Sequence, residues 1–341
     1  MSKQEKRILV TGAAGFIGFH LTRRLLRSGE AVEGLDHFSP YYDPELKEAR
    51  LERLLQERPG FVCRRIDLAD RRAAAEVFED GCYSHVVHLA AQPGVRYSLQ
   101  EPHAYLESNI TGFLNVLEGC RRIQPRHLVY ASSSSVYGAN RKLPLAESDR
   151  VDHPLSLYGA TKKSNEMMAH CYAHLYRIPV TGLRLFTVYG PWGRPDMAFF
   201  KFVRAILKGE EIEVYNQGKM ERDFTYVDDI VEGMVRVLQR PARPHPQWDA
   251  ENPLPDVSDA PFRTYNIGCG RALPLLDFIA AIEDALGKKA RIRYLPMQPG
   301  DVLSTAADVS KLEKDFGYRP DTRVRQGIEK FVQWYRRFYG V

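Results

Sequence analysis

The chain has 341 residues, of which 44% are hydrophobic and 27% are charged, as is ordinary for a globular protein. Its formal net charge of +5 comes from scattered lysines and arginines, without the basic stripe interleaved with aromatics that predicts a nucleic-acid partner. Five widely spaced cysteines without a Cys-x-x-Cys pair argue against a disulfide framework or zinc site and favour the cytoplasm. No stretch is apolar for long enough to predict a signal peptide or membrane span.

The first predicted unit is a strand over residues 7–11, a glycine turn, and a helix that continues to residue 28. Glycines in such a turn let the chain bend tightly, approach a pyrophosphate closely and pack the helix on the strand. The free N–H groups at the helix start then face the phosphates. The spacing of three and three departs from the commonest dinucleotide fingerprint, so by itself this motif is weak. Its residues are Gly12, Gly15, Phe16, Ile17 and Gly18.

The second predicted strand covers residues 31–35 and ends at Asp36. A carboxylate at this position accepts hydrogen bonds from the adenosine ribose hydroxyls of a dinucleotide. His37 follows without an arginine that would bind a 2′-phosphate, so the sequence favours NAD over NADP. The alternative, in which Asp36 is only a turn residue, stays open. Residues 45–58 are then predicted to form a charged, amphipathic helix.

Two further strands are predicted over residues 61–66 and 84–90. Residues at their carboxyl ends are expected to meet the adenine and to leave room for the dinucleotide: Asp67, Leu68, Leu89, Ala90 and Ala91. The histidines of the second strand have no third ligand nearby, so we expect no metal site. A long predicted helix over 102–122 carries Asn109, and a fifth strand covers 126–131. Alternating strands and helices predict an α/β fold with a doubly wound parallel sheet.

The residues after the fifth strand carry the predicted chemistry. Four serines, residues 132–135, follow this strand at the sheet edge where ligands bind. Tyr158 and Lys162 stand four residues apart on one face of a helix predicted to reach residue 176. Because an adjacent ammonium lowers the pKa of a phenol, we expect Ser133, Tyr158 and Lys162 to form a proton shuttle for a sugar or alcohol hydroxyl.

The alternation of strands and helices breaks at about residue 190, after a sixth strand over 180–186. Short elements, a Pro-rich loop at 241–261 and two amphipathic helices follow. We therefore predict a cofactor domain at residues 1–190, which carries the catalytic residues. A smaller α/β substrate-binding region at 191–341 is expected to interleave with it.

Taken together, the glycine turn, the serine-rich strand end and Tyr158-x-x-x-Lys162 resemble the extended short-chain dehydrogenase/reductase superfamily, with its Rossmann-like fold. The resemblance covers essentially the whole chain. Residues 222–229 resemble nucleotide-sugar epimerases in particular. The more specific resemblance is to bacterial UDP-glucuronate 4-epimerases, in residues 41–44, 94–98, 188–197 and 297–301.

This resemblance implies a role for each residue of the shuttle. Tyr158 is the catalytic base and acid, Lys162 lowers its pKa and holds the nicotinamide ribose, and Ser133 aligns the sugar 4-hydroxyl. Tyr158 takes the O4 proton while the C4 hydride passes to NAD. The 4-keto sugar then turns over and takes the hydride back on its other face. The implied reaction interconverts UDP-glucuronate and UDP-galacturonate, for cell-surface polysaccharide, without net oxidation.

The residues after Ser133 narrow the predicted reaction. Related dehydratases and decarboxylases carry carboxylic acids where this chain has Ser134 and Ser135, and a hydroxyl cannot act as a general base at neutral pH. We expect these serines to line the sugar pocket. A guanidinium offers a bidentate fork to the substrate carboxylate, and either Arg194 or Arg96 is the candidate for that contact.

The nucleotide is expected to contact Arg222 at the diphosphate and Tyr215 at the uracil, while Asp301 binds the ribose or orients Arg222. Thr187 and Gln298 replace an Asn and an Arg of the galactose epimerase pattern, which favours the glucuronate type. The same chemistry on UDP-glucose or UDP-N-acetylglucosamine stays open, as does, more remotely, a non-catalytic NAD-binding regulator. The resemblance also implies a homodimer through helices 102–122 and 158–176, which otherwise only cover the sheet.

Overall fold

The computed structural model describes residues 7–341. Its first half alternates strands with helices, close to the predicted bounds. The strands are β1 (Arg7–Thr11), β2 (Val32–Asp36), β3 (Val62–Arg65), β4 (Tyr83–His88), β5 (His127–Ser133) and β6 (Val180–Leu185). The helices are α1 (Phe16–Arg27), α2 (Pro44–Glu57), α3 (Arg71–Asp80), α4 (Pro102–Tyr105), α5 (Gly112–Ile123) and α6 (Leu157–Tyr176). A π-helical segment, Leu106–Thr111, joins α4 to α5.

The second half contains shorter elements. Its strands are β7 (Thr187–Tyr189), β8 (Glu211–Tyr215), β9 (Glu221–Arg222), β10 (Phe224–Tyr226), β11 (Phe262–Ile267), β12 (Leu273–Pro274) and β13 (Arg291–Leu295). Its helices are α7 (Ala198–Lys208), α8 (Val227–Leu238), α9 (Leu275–Leu286), α10 (Ser310–Phe316) and α11 (Val324–Tyr339). The Pro-rich segment 241–261 holds neither a helix nor a strand, as predicted.

Seven parallel strands form the central sheet, in the order β3-β2-β1-β4-β5-β6-β11. The chain order reverses between β1 and β4, and in such sheets ligands bind at that point, outside the carboxyl ends of the strands. Successive residues of β1 enter apolar clusters on opposite faces of the sheet, Val10 on one and Leu9 on the other. Both faces are thus covered, which confirms the predicted doubly wound α/β fold.

Elements after residue 190 return to this sheet. Strand β11 pairs with β6 from Phe262 opposite Val180 to Ile267 opposite Leu185. The remaining strands of the second half form two-stranded pairs: β7 with β10, β8 with β13, and β9 with β12. The two regions therefore share one sheet. The division at residue 190 into a cofactor part and a substrate part stays a prediction about their roles. Within residues 7–341, no helix combines the length and the apolar character needed to cross a membrane.

Candidate active site

A cavity of about 310 Å³ lies at the carboxyl ends of the central strands. It collects nearly all the residues that the sequence assigned to a dinucleotide. Those lining it are Gly12, Gly15, Phe16, Ile17, Gly18, Asp36, His37, Asp67, Leu68, Leu89, Ala90, Ala91, Tyr158 and Lys162.

The glycine turn closes the cavity floor. Gly12 has φ +71, a conformation that favours glycine, and a Cβ on Gly18 would lie 1.9 Å from the Gly12 carbonyl oxygen. Gly15 is the N-cap of α1 and supplies no side-chain acceptor to the first turn. The N–H groups of that turn have no acceptor within the helix. This end of α1 therefore fits a pyrophosphate, as the sequence predicts.

Asp36 is fixed at the end of β2 by three donors. Its Oδ1 accepts from the Phe38 N–H at 2.8 Å and from the Lys47 amine at 3.2 Å, and its Oδ2 accepts from the Ala14 N–H at 3.2 Å. Both members of the Asp36–Lys47 ion pair are buried. This carboxylate fits the ribose contact that the sequence assigned to it.

Helix α2 supplies two cations that sequence reasoning missed. Arg50 is 0% exposed, and its Nη1 donates to the Ala14 carbonyl at 2.9 Å while its Nη2 donates to the Trp192 carbonyl at 2.6 Å. It thereby joins the glycine turn to the loop after β7. The signal was present: Lys47 and Arg50 share the buried face of α2 with apolar Leu46 and Leu54.

The three shuttle residues meet at one end of the cavity. Ser133 closes β5, and Tyr158 lies in the first turn of α6, where the Ser156 hydroxyl caps the helix by accepting from the Gly159 N–H at 3.1 Å. The Lys162 amine donates to the Ala131 carbonyl at 2.9 Å. Burial lowers the pKa of Lys162 to about 8. The structure therefore brings together the serine, tyrosine and lysine that the sequence singled out.

The electrostatics around Tyr158 differ from the sequence prediction. Burial raises the pKa of Tyr158, while the Ser133 hydroxyl and the Arg194 guanidinium lower it by smaller amounts. The sequence assigned the lowering of this pKa to Lys162, whose amine instead faces the end of β5. Arg194 thus has an electrostatic influence that the sequence did not suggest.

The serine run divides into an inner and an outer part. Ser132 is buried and donates to Glu166 Oε1 at 2.7 Å. The Ser133 hydroxyl accepts from the Ser135 N–H at 3.2 Å. Ser134 and Ser135 line the cavity, so hydroxyls stand where a carboxylate would act as an acid or base.

A second cavity, of about 590 Å³, shares Thr187 with the first. Its walls contain most of the residues that the sequence assigned to the nucleotide: Thr187, Tyr215, Arg222 and Asp301. Arg96, the second candidate for the substrate carboxylate, also lines this cavity and not the one that holds Tyr158. The Arg96 Nη2 donates to Asp301 Oδ2 at 3.1 Å, and the guanidinium carbon lies 4.5 Å from the centroid of the Tyr215 ring. Burial lowers the pKa of Arg222.

Arg194 lines the first cavity but is already paired. Its Nε donates to Asp196 Oδ1 at 3.0 Å and its Nη2 donates to Asp196 Oδ2 at 2.8 Å, while the Tyr41 hydroxyl donates to Oδ2 at 3.2 Å. The bidentate fork that the sequence offered to a substrate carboxylate therefore engages Asp196. Neither Asp196 nor Tyr41 was singled out from the sequence.

Two predicted site residues, Asn109 and Gln298, line neither cavity. Asn109 lies buried in the π-helical segment, where its Oδ1 accepts from the Gln92 N–H at 2.8 Å. Its Nδ2 donates to the Gln92 carbonyl and to the Thr161 hydroxyl, each at 3.1 Å. Asn109 therefore braces the segment after β4 against α6.

The fold and the first cavity are those of a dinucleotide-binding protein in which a serine, a tyrosine and a lysine line the same cavity. The family model described as "NAD dependent epimerase/dehydratase family" matches residues 8–268, and the chain belongs to this family.

Similar proteins include Protein CapI of Staphylococcus aureus, 51% identical over 98% of this chain and 99% of the relative. A probable UDP-glucuronate 4-epimerase of Rhizobium meliloti is 49% identical over 98% of each chain. A crystal structure of UDP-glucuronic acid 4-epimerase from Bacillus cereus, in complex with UDP-glucuronic acid and NAD, superimposes with a TM-score of 0.86. It is 34% identical and covers 98% of this chain and 100% of its own.

Proposed function

We propose that the protein is an NAD-dependent UDP-glucuronate 4-epimerase, an isomerase that interconverts UDP-glucuronate and UDP-galacturonate. One observation carries the proposal: Ser133, Tyr158 and Lys162 meet in a cavity whose adjoining positions, 134 and 135, carry hydroxyls. Such a site can oxidise and reduce C4 without a carboxylate that would drive elimination. The relatives and the structure named above support the choice of a uronate.

The cavity offers a separate group to each part of NAD: an acidic side chain, a helix N-terminus and a lysine. The start of α1, with Gly15 and Gly18, would hold the pyrophosphate, and Asp36 the adenosine ribose. Lys162 would hold the nicotinamide ribose. When bound, NAD supplies the acceptor that takes the C4 hydride and returns it.

The protein side of the reaction is proton transfer at O4. In its anionic form Tyr158 accepts the O4 proton, and in its neutral form it returns the proton to the opposite epimer. Ser133 orients the hydroxyl that reacts. Burial raises the pKa of Tyr158 and so opposes its phenolate form. Ser133 and Arg194 act in the other direction, since both lower this pKa and favour the phenolate that serves as the base.

The C6 carboxylate needs restraint once C4 is a ketone, because a β-keto acid loses CO2 when its C5–C6 bond aligns with the carbonyl. Ser134, Ser135 and Thr187 line the cavity and offer hydroxyl donors for this group. In the second cavity, Arg222 and Arg96 would meet the diphosphate, Tyr215 the uracil and Asp301 the uridine ribose.

The proposal is tested by steady-state assays with three substrates. UDP-glucuronate should have the highest kcat/KM, and a higher value for UDP-glucose or UDP-N-acetylglucosamine would reject the uronate. Tyr158→Phe should reduce kcat by about a thousandfold or more, because general acid–base catalysis is lost. Tyr176→Phe, on the same helix but distant from the cavity, is the control. Unchanged turnover in Tyr158→Phe would reject the mechanism.

A homodimer is proposed on the outer faces of two helical segments. Met167 and Leu175 of α6 are 61% and 65% exposed, and Leu106 and Leu114 of the neighbouring segment are also exposed. An exposed apolar face of this kind suits pairing with a second copy. Sedimentation at micromolar concentration should give a dimer for the wild type and a monomer for a Met167→Glu/Leu175→Glu variant. A wild-type monomer would contradict the proposal.

Cellular setting and domain roles complete the proposal. All five cysteines are free, which is consistent with a reducing cytoplasm, where UDP-galacturonate would serve cell-surface polysaccharide. Residues 1–190 would carry the cofactor and the chemistry, and residues 191–341 most of the nucleotide contacts. Loss of a galacturonate-containing surface polymer on deletion of the gene would support this setting, and an unchanged polymer would contradict it.

A further inference from the structure

The Arg194–Asp196 pair stands between the two cavities. Arg194 lines the first cavity, beside the shuttle residues, and Asp196 lines the second. Under the proposed function, a hexose joined to UDP would span this junction, with its C4 at Tyr158 in the first cavity and its diphosphate at Arg222 in the second. The pair is therefore placed at the sugar itself.

The geometry of the pair leaves one edge of the guanidinium, the Nη1 side, for a ligand. Asp196 takes the Nε and Nη2 donors, and among residues 7–341 the Nη1 atom has no hydrogen-bond partner. The carboxylate is held in turn by the Tyr41 hydroxyl at 3.2 Å. Both charged side chains are about one fifth exposed, 22% for Arg194 and 23% for Asp196.

Each member of the pair stabilises the charged form of the other. Burial alone would lower the pKa of Arg194, but the Asp196 carboxylate reverses this and raises it. Burial alone would raise the pKa of Asp196, but Arg194 lowers it. Both groups are therefore charged near neutral pH, and an incoming anion meets a nearly neutral pair instead of a lone cation.

We propose that Asp196 is a positioning residue: it occupies one edge of the Arg194 guanidinium and compensates its charge, so that the remaining edge gives the hexuronate C6 carboxylate a weak contact that can be released. This inference rests on the proposed function and adds a role for a residue outside the shuttle.

A releasable contact matters because the 4-keto sugar must turn over between the two hydride transfers. Its C6 carboxylate has to leave its first position before the opposite face can reach the nicotinamide. A lone guanidinium would hold the carboxylate more tightly and slow that turn, whereas a neutral sugar would not sense the difference.

Binding measurements in a Tyr158→Phe background, where turnover is slowed by about a thousandfold or more, test the proposal. Adding Asp196→Asn removes the negative charge and keeps the shape of the side chain. We expect the Kd for UDP-glucuronate to fall by about tenfold, the effect of strengthening a partly exposed ion pair. The Kd for UDP-glucose, which lacks the C6 charge, should stay within about twofold. Isothermal titration calorimetry measures both.

With Tyr158 present, Asp196→Asn should lower kcat and KM together by about tenfold, because the substrate is held better but turns more slowly. The steady-state fraction of reduced nicotinamide should rise. Asp196→Glu, which restores the charge, should bring both constants back toward wild type.

Three outcomes would overturn the proposal: weaker UDP-glucuronate binding in Asp196→Asn, equal shifts for both ligands, or a raised KM at constant kcat. Failure of the proposed function is a separate result, since it would appear as a wild-type protein that leaves C4 of UDP-glucuronate unchanged.

Discussion

Arg184 and Glu166 form a buried ion pair next to the elements that carry Ser133, Tyr158 and Lys162. Nε donates to Oε1 at 2.8 Å and Nη2 donates to Oε2 at 3.0 Å, with the two side chains 0% and 3% exposed. Arg184 belongs to β6 and Glu166 to α6, one turn after Lys162 and two turns after Tyr158. Because Ser132 also donates to Glu166, the pair ties helix α6 to the strand end that carries Ser133.

Removing one member of this pair should destabilise the fold strongly. Either Glu166→Gln or Arg184→Met leaves the other member of the pair as an uncompensated buried charge, so the free energy of unfolding should fall by about 3–5 kcal/mol. Denaturant titration measures this change. The matched control is Glu118→Gln, which breaks the exposed Glu118–Arg121 pair and should cost about 1 kcal/mol or less. A single variant as mild as this control would contradict the assigned role.

Sequence patterns predicted six of the seven strands of the central sheet, but they did not assign β11 to it and did not identify the partners of its buried charges. Arg184 falls within an apolar run that predicts a strand, and nothing local indicates that Glu166 on another element neutralises it. The same applies to Asp196, whose spacing from Arg194 only becomes informative once the loop after β7 is placed. The Arg184–Glu166 pair joins a strand to a helix, and the Arg194–Asp196 pair lies in an irregular loop, so the geometry of both depends on the completed fold.

Helix irregularities were also beyond sequence reasoning. The long helix predicted over 102–122 contains a π-helical segment, Leu106–Thr111, which turns Asn109 toward the backbone of Gln92. The spacing of apolar residues over a long window predicts a helix, but it does not distinguish six π-helical residues from the α-helix around them. The glycine turn and the Tyr158–Lys162 pair were predictable because each lies within one short segment, where the residue spacing alone indicates the local backbone geometry.

Gly18→Ala should impair the cofactor site. The added methyl group would lie 1.9 Å from the Gly12 carbonyl oxygen, so the turn that precedes α1 would have to shift. We expect NAD affinity to fall by about tenfold or more, as one lost contact of about 1.4 kcal/mol would require. The NAD content of the purified protein and calorimetric titration measure it. Gly112→Ala is the control, because its Cβ would meet only ordinary contacts, the nearest at 3.5 Å, and retained affinity in Gly18→Ala would contradict the model of the turn.

Stability should decrease in mild acid because of His88. Burial, with a smaller contribution from Lys162, lowers the pKa of His88 from its usual 6.5 to about 3, and its Nδ1 lies 2.8 Å from the Thr11 hydroxyl. Between these pH values the unfolded chain binds a proton that the folded chain does not. The free energy of unfolding should therefore fall as pH drops below 6.5, by up to about 1.4 kcal/mol per pH unit.

Thermal unfolding between pH 7 and pH 4 measures this effect. His88→Gln should flatten the decline relative to the wild type, whereas His103→Gln, at an exposed position, should follow the wild-type curve. Parallel curves for the wild type and His88→Gln would show that His88 is not the group responsible.

The central claim is inversion at C4 of a UDP-hexuronate with the cofactor recycled, and proton NMR of the purified protein with UDP-glucuronate tests it most directly. We expect UDP-galacturonate to appear until an equilibrium mixture is reached, with no net accumulation of reduced nicotinamide and no CO2 released. Conversion to a UDP-pentose with loss of CO2, or no change at C4, would contradict it.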